Sequence, residues 1–293
     1  MSVILEKAAI RGVERIEASQ LAPVGTFTVR RALPGRERHS VGPWVFLDHF
    51  GPFKVKPGHD GVGPHPHAGI ETVTYLMSGR NEHRDSAGHT GIVSAGGAQW
   101  MTSGRGIIHA EKSLVEVEGD KVLHGIQLWT SLPRALKLME PRYQRIDAAA
   151  IATVQADGAR VRVVAGELAG ASGPAEALMP LALAHLTLQP GAVFESAVDA
   201  SFEFAAYVIE GEGVFDAEAS ARAGSGSLVV WGGNETRLRV SNPGGAKLEV
   251  MLLGGTPAEG PLVFHGPFVM NSPEQVRAAE VAYRTGRMGT LED

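Results

Sequence analysis

Turn-forming residues punctuate this chain about every 8–12 residues, and short β-prone runs fill the gaps. Leu33-Pro34-Gly35, Ser78-Gly79-Arg80-Asn81, Gly88 and Ala95-Gly96-Gly97 are such breaks. Between them lie Glu71-Thr72-Val73-Thr74-Tyr75-Leu76-Met77, Thr90-Gly91-Ile92-Val93, Gln99-Trp100-Met101-Thr102 and Leu123-His124-Gly125-Ile126-Gln127-Leu128-Trp129-Thr130. No window among these leaves room for a long helix. The pattern constrains the chain to an all-β sandwich or barrel architecture. Residues 26–30 read as a further strand, Ile4-Leu5 as the start of an opening one, and residues 41–50 as a buried run. Residues 51–64 read as a loop dense in breakers. Residues 133–147, charged and bounded by prolines, read as a linker. A second β series follows at residues 160–166, 181–188, 202–211, 227–231 and 248–253. With 293 residues in hand, two domains are expected, 1–140 and 141–293. Ser272-Pro273-Glu274-Gln275 then marks a helix start, with serine as cap and proline at the first helical position. The helix is expected to run to Arg284, and Gly286 to end it.

Histidine is distributed unevenly. Eight of the eleven lie between His49 and His124, which places a candidate site in the first half. Within residues 64–113 two pairs have ligand character: His65 and His67, and His109 and Glu111. In an extended strand, residues two apart share a face, roughly 6.5–7 Å apart. Side-by-side strands bring opposite side chains to about 5 Å. If the two segments pair, four groups converge on one ion. Glu71 is a rival carboxylate, four residues from His67 and therefore also at an even offset. Glu111 is favoured as the fourth ligand because it shares a strand face with His109, and Glu71 is then a neighbouring candidate base. His39, His59, His83, His89, His185 and His265 read as surface or hydrogen-bonded histidines. His49 and His124 sit in apolar runs and read as core or as neighbours of the site. Trp100, Met101, Phe46 and Phe50 either wall a pocket or belong to the core.

Composition removes several alternatives. Cysteine is absent, so disulfides and thiolate metal sites are excluded. A structural zinc held by three histidines and a carboxylate stays chemically open, although such sites more often use cysteine. A net charge of −5 without a basic block gives no phosphate-tracking surface, so direct nucleic-acid binding is not expected. No run approaches the ~18 apolar residues of a membrane helix, and the first residues lack the features of a secretory signal. A cytoplasmic monomer is the expectation.

The halves also repeat. Tyr75-Leu76-Met77-Ser78-Gly79 matches Tyr207-Val208-Ile209-Glu210-Gly211, which sets Glu71 against Glu203. That offset puts Ala197 and Asp199 where His65 and His67 stand, and residues 238–240 where His109 stands. The second half is expected to have no metal ligands and to act as a structural partner.

The segment Gly63-Pro64-His65-Pro66-His67-Ala68-Gly69-Ile70-Glu71-Thr72-Val73 resembles the first motif of the cupin superfamily, and within it the pirin family. A more specific likeness lies in Gln99-Trp100-Met101-Thr102-Ser103-Gly104-Arg105-Gly106-Ile107-Ile108-His109-Ala110-Glu111. Gly125-Ile126-Gln127-Leu128-Trp129, Glu140-Pro141-Arg142-Tyr143-Gln144 and Gly266-Pro267-Phe268-Val269-Met270-Asn271 extend it over nearly the whole chain. The resemblance implies a bicupin, two β-sandwich or double-stranded β-helix barrels with a short C-terminal helix. It implies one metal in the first barrel, on His65, His67, His109 and Glu111. Ordinary cupins use the glutamate at the position of Glu71 instead. Mixed nitrogen and oxygen ligands suit Fe(II), Mn(II), Ni(II), Cu(II) or Zn(II), and the resemblance points to Fe(II). It further implies a quercetinase-type dioxygenase that opens flavonol-like aromatic substrates with dioxygen, Glu111 or Glu71 taking the substrate proton. The alternative it implies is a non-catalytic regulator that binds a protein partner according to the metal's redox state.

Overall fold

The structure is a computed structural model, and it describes residues 9–25, 27–55, 61–114 and 122–291. The strand expected at Ile4-Leu5, Thr26 at the head of residues 26–30, and His59 in the breaker-rich loop lie outside them.

Two large antiparallel sheets dominate. The first runs Arg142–Ile146, Ala98–Thr102, Ile70–Ser78, Val122–Ser131, Trp44–Lys54, Phe27–Leu33, Gln20–Val24. The second runs Val13–Ala18, Ser227–Trp231, Glu203–Glu210, Leu248–Gly255, Leu181–Leu188, Ala159–Ala165, Ala152–Ala156. Each is closed by a four-stranded sheet: Val62–His67, Ile107–Leu114, Arg80–Asp85 and Thr90–Ser94 in the first half, Val193–Ala197, Arg237–Ser241, Glu212–Val214 and Arg222–Gly224 in the second. The expected all-β, two-barrel architecture is therefore present. The loop expected over residues 51–64 is shorter than its composition suggests, because the Trp44–Lys54 strand continues through Gly51-Pro52 and the next strand begins at Val62.

The two large sheets correspond strand by strand, which makes the repeat structural. Ile126 lies between Tyr75 and His49 in the first sheet, as Met251 lies between Tyr207 and His185 in the second. The alignment of Tyr75 with Tyr207 and of Glu71 with Glu203 holds in this register. One strand of each sheet, however, comes from the other half. Val13–Ala18 pairs with Ser227–Trp231, and Arg142–Ile146, inside the expected linker, pairs with Ala98–Thr102. A boundary at residue 140 thus separates the sequence repeats but not the sheets.

Alternation along the large sheets decides what each face meets. Tyr75, Trp100, Ile126 and Leu128 of the first sheet pack against Leu183, Tyr207, Leu228 and Met251 of the second, in one shared core. Each such side chain contributes about 1.5–3 kcal/mol when fully buried, so the halves are joined through a genuine interior. Trp44 adds an indole hydrogen bond to the Gly254 carbonyl at 2.9 Å. The opposite faces point into the barrels. The second barrel is filled by Phe194, Phe204, Phe215, Trp231, Leu238 and Val240. The first is hollow.

The terminal helix spans Pro273–Arg284, as the cap and proline signals require. Ser272 caps it by accepting from the Gln275 backbone N–H. It does not close the second barrel. Its buried residues Val276 and Ala279 join Ala68, Ile108, Phe268, Met270 and Met288 in a separate cluster. Ala68 and Ile108 adjoin the histidine pairs, so the last segment of the chain returns to the back of the first barrel's small sheet.

Candidate metal centre

The strands Val62–His67 and Ile107–Leu114 pair antiparallel, with His65 opposite His109 and His67 opposite Ile107. Extended geometry turns all three imidazoles to the inside. Their ring centroids lie 4.4 Å (His65–His109), 4.9 Å (His65–His67) and 5.0 Å (His67–His109) apart. One donor atom from each lies within 4.8 Å of the other two, and among the described residues no other three-residue group of metal-ligating side chains does this.

Hydrogen bonds assign the tautomers. Nδ1–H of His65 donates to the Gly63 carbonyl at 2.9 Å, and that of His67 to the Pro267 carbonyl at 3.2 Å. Nδ1 of His109 meets Nδ1 of His83 at 3.4 Å, and Nε2–H of His83 donates to Asp85 at 3.0 Å. His83 is therefore the acceptor and His109 the donor. Every Nδ1 is spent outward, which leaves three Nε2 lone pairs for the centre. Nε2 of His109 is buried without a partner among the described residues, a costly arrangement unless a ligand fills it. Burial first, and the neighbouring His65 next, lower the pKa of His67 to about 3 and that of His109 well below its usual value. His67 and His109 are therefore neutral, which is the metal-binding form. The residues fit a divalent ion.

The support behind His109 was not anticipated in its role. Asp85 is fully buried and also accepts from the backbone N–H groups of Ala87 and His89, both at 3.0 Å. Burial raises its pKa, but the bonds from His83 and His89 outweigh that and the net shift is downward. Tyr143, from the exchanged strand, stacks on His83 at 4.3 Å. The signal was present in the sequence: His83 and Asp85 are two apart on a strand, as His65 and His67 are.

Glu111 lies on the same inner face as His109 and lines the same cavity as His65 and His67. Its Oε1 accepts from Thr74 Oγ1 at 2.7 Å, from Asn81 Nδ2 at 3.2 Å and from Gln99 Nε2. Oε2 takes none of these bonds. The carboxylate is not within the three-histidine group. The register shift beside it lies on the partner strand, where Glu111 falls opposite Val62, three residues before His65, while the pairing with Arg80–Asp85 runs on unbroken.

Glu71 is placed elsewhere. Gly69, at φ +78°, breaks the alternation between His67 and Ile70, so an even count from His67 does not carry Glu71 to the ligand face. Its carboxylate accepts from Thr102 at 2.8 Å and Thr130 at 3.3 Å on the opposite face of the large sheet. There it is completely buried and its pKa is raised by that burial. It does not line the cavity, which corrects its expected position beside the histidines. The second-half counterparts also shift by strand parity. The inward residues of the corresponding strand pair are Phe194, Ser196, Leu238 and Val240, while Ala197 is exposed and Asp199 lies beyond the strand. None of the inward four carries imidazole or carboxylate.

His65 and His67 open onto a cavity of about 730 Å³. Phe46 and Trp129 stack at 4.0 Å along one wall, Phe27 and Phe53 at 4.8 Å along another. Trp129 meets the edge of His67 at 4.9 Å. Phe46 and Phe50 thus wall the pocket, while Trp100 belongs to the core between the barrels. His49 and His124 bond to each other at 2.7 Å away from the cavity, and His49 bonds Tyr207 at 3.0 Å. The C-terminal return supplies Phe264 and Pro267 to the cavity. It is tied down by Lys137, whose buried Nζ donates to the Gly69 and Val269 carbonyls at 2.7 and 2.8 Å and to Ser131 Oγ at 2.8 Å.

Comparison with known proteins places these features in a family. The Pirin profile matches residues 26–130, and the Pirin C-terminal cupin domain profile matches residues 183–289. Pirin-like protein 2 of Arabidopsis thaliana is 37% identical over 265 residues, covering 89% of this chain and 80% of the relative. Human Pirin is 33% identical over 266 residues, with 89% and 88% covered. Among solved structures, a quercetin 2,3-dioxygenase from Acinetobacter baumannii superposes with a TM-score of 0.89 at 29% identity, over 97% of this chain and 100% of that one. The barrels are cupins. No helix among the described residues is long and apolar enough to cross a membrane.

Proposed function

From the chain's membership of the pirin family and the geometry of its first barrel, we propose a mononuclear metal-dependent dioxygenase of the quercetinase type, acting on flavonol-like aromatic substrates. The observation that carries this reading is the convergence of three histidines, one with a buried unpartnered Nε2, beside an aromatic-walled cavity that His65, His67 and Glu111 line. The likeness to a quercetin 2,3-dioxygenase supports it. His65, His67 and His109 are the proposed ligands, with Glu111 as the fourth and Fe(II) as the metal; Zn, Mn, Ni and Cu are chemically compatible with the same donors.

A divalent ion there supplies Lewis acidity, which lowers the pKa of a hydroxyl presented to it. The protein does the rest. Phe46, Trp129, Phe27 and Phe53 wall the cavity with aromatic surface against which a planar ring can pack. The apolar lining keeps bulk water off the reacting face and strengthens electrostatic contacts inside. Glu111 is anchored through Oε1, so Oε2 is the oxygen that would ligate the ion and, turned away from it, would take the substrate hydroxyl proton. Because Glu71 stands on the other side of the sheet, the base role falls to Glu111.

The test is turnover of quercetin by the iron-loaded protein, with and without oxygen. Loss of flavonol absorbance that depends on oxygen is expected. Its absence, with iron confirmed bound, overturns the reading.

A further inference from the structure

Across the floor of the first large sheet runs one register row, Gln99, Thr74, Gln127, Asp48 and Arg31, taken from five successive strands. Every member is polar. The corresponding row of the second sheet is Val229, Ala206, Leu252, Ala184 and Val163. Every member there is apolar and belongs to the filled core of that barrel. The fold therefore does not need polar groups in this row; they accompany the cavity.

The row has two ends. At one, Gln99 and Thr74 hold Glu111. At the other, Arg31 donates through Nε and Nη2 to both oxygens of Asp48, at 2.8 and 2.7 Å. Nη1 of Arg31 makes no hydrogen bond among the described residues, and about 31% of the side chain stays accessible while Asp48 is covered. The guanidinium lies over the Phe46 ring at 4.6 Å, Phe46 stacks on Trp129, and Trp129 meets His67. A continuous aromatic wall thus links the Arg31 end to the histidines. A bidentate pair of this kind fixes the guanidinium plane and leaves its remaining donor aimed and pre-organised.

We propose that Arg31, oriented by Asp48, is a specificity-determining residue that donates to an oxygen at the end of the substrate remote from the metal. The substrate class is then an elongated, multi-ring aromatic carrying oxygen functions at both ends. The proposal rests on the cavity being the substrate site and deepens that reading.

The test compares binding of quercetin, hydroxylated on its outer rings, with 3-hydroxyflavone, which keeps the 3-hydroxyl alone. Affinities are read from tryptophan fluorescence quenching under argon with the zinc-loaded protein, so that no turnover intervenes. In R31M the ratio of the two dissociation constants is expected to move against quercetin by about tenfold or more, the effect of losing one charge-assisted hydrogen bond. The double variant R31M/D48L imitates the apolar row of the second barrel and avoids stranding Asp48; it is expected to show the same change. Binding of both compounds with an unaltered ratio overturns the proposal and leaves the substrate reading standing. Failure of the wild type to bind either compound overturns both.

Discussion

Asp85 never reaches the cavity, yet it fixes which nitrogen of His109 faces the centre. It holds Nε2–H of His83, which leaves His83 Nδ1 to accept from His109. Asp85→Asn weakens that constraint, and outer-shell changes of this type lower metal affinity about 10–100-fold; chelator competition against the wild type measures it. The two glutamates separate by the same assay. Glu111→Ala is expected to weaken metal binding directly. Glu71→Ala is expected to keep the metal but lose about 1–3 kcal/mol of stability, because Thr102 and Thr130 lose their buried acceptor. Loss of metal from Glu71→Ala alone contradicts the assignment. At this scale the sequence was legible where two side chains shared one uninterrupted strand: His65 and His67 do converge, and Glu111 does share the inner face with His109. It misled at Glu71, because the positive φ of Gly69 resets the face. Arg31 and Asp48 were not legible, since they meet only through strand pairing.

Among the elements, the C-terminal return does most to shape the site while lying farthest from it in sequence. It reaches His67 through the Pro267 carbonyl. At Gly69 the backbone approaches this return so closely that an added Cβ would sit 2.2 Å from the Val269 oxygen. Gly69→Ala is therefore expected to lower both melting temperature and metal affinity. Lys137 clamps the same junction, and burial lowers its pKa to about 7 from 10.5. Between those values the unfolded chain binds the extra proton, so stability rises with pH from about 7 towards 10.5; below about 7 both states are protonated and the slope vanishes. Denaturant unfolding at pH 7 and pH 9.5 should show the rise, and Lys137→Met should flatten it. The helix itself was readable from Ser272 and Pro273. Its destination was not, because the apolar face of a helix does not name its partner.

Over the whole molecule, the halves are joined by a near-twofold exchange of side chains. Tyr207 donates to His49 and Tyr75 to His185, at 3.0 and 3.1 Å, from matching register positions. Burial is the main cause that lowers both histidines to about 3. The unfolded chain takes up protons near 6.5, so stability falls as pH drops from about 6.5 towards 3. Calorimetry at pH 7 and pH 4.5 should show a lower melting temperature in acid, still as one transition for both barrels. His185→Phe should reduce the acid sensitivity.

The crossed edge strands set a timetable for synthesis. As the chain leaves the ribosome, residues 13–18 emerge roughly two hundred residues before their partner Ser227–Trp231. The first large sheet likewise lacks its last strand until Arg142–Ile146 has been made. The first large sheet can thus finish once residue 146 is made, whereas Val13–Ala18 must wait without its partner until Ser227–Trp231 has been translated. Halves expressed separately should each present a bare sheet edge and associate or precipitate, whereas the two halves produced together can trade strands and recover the native pairing.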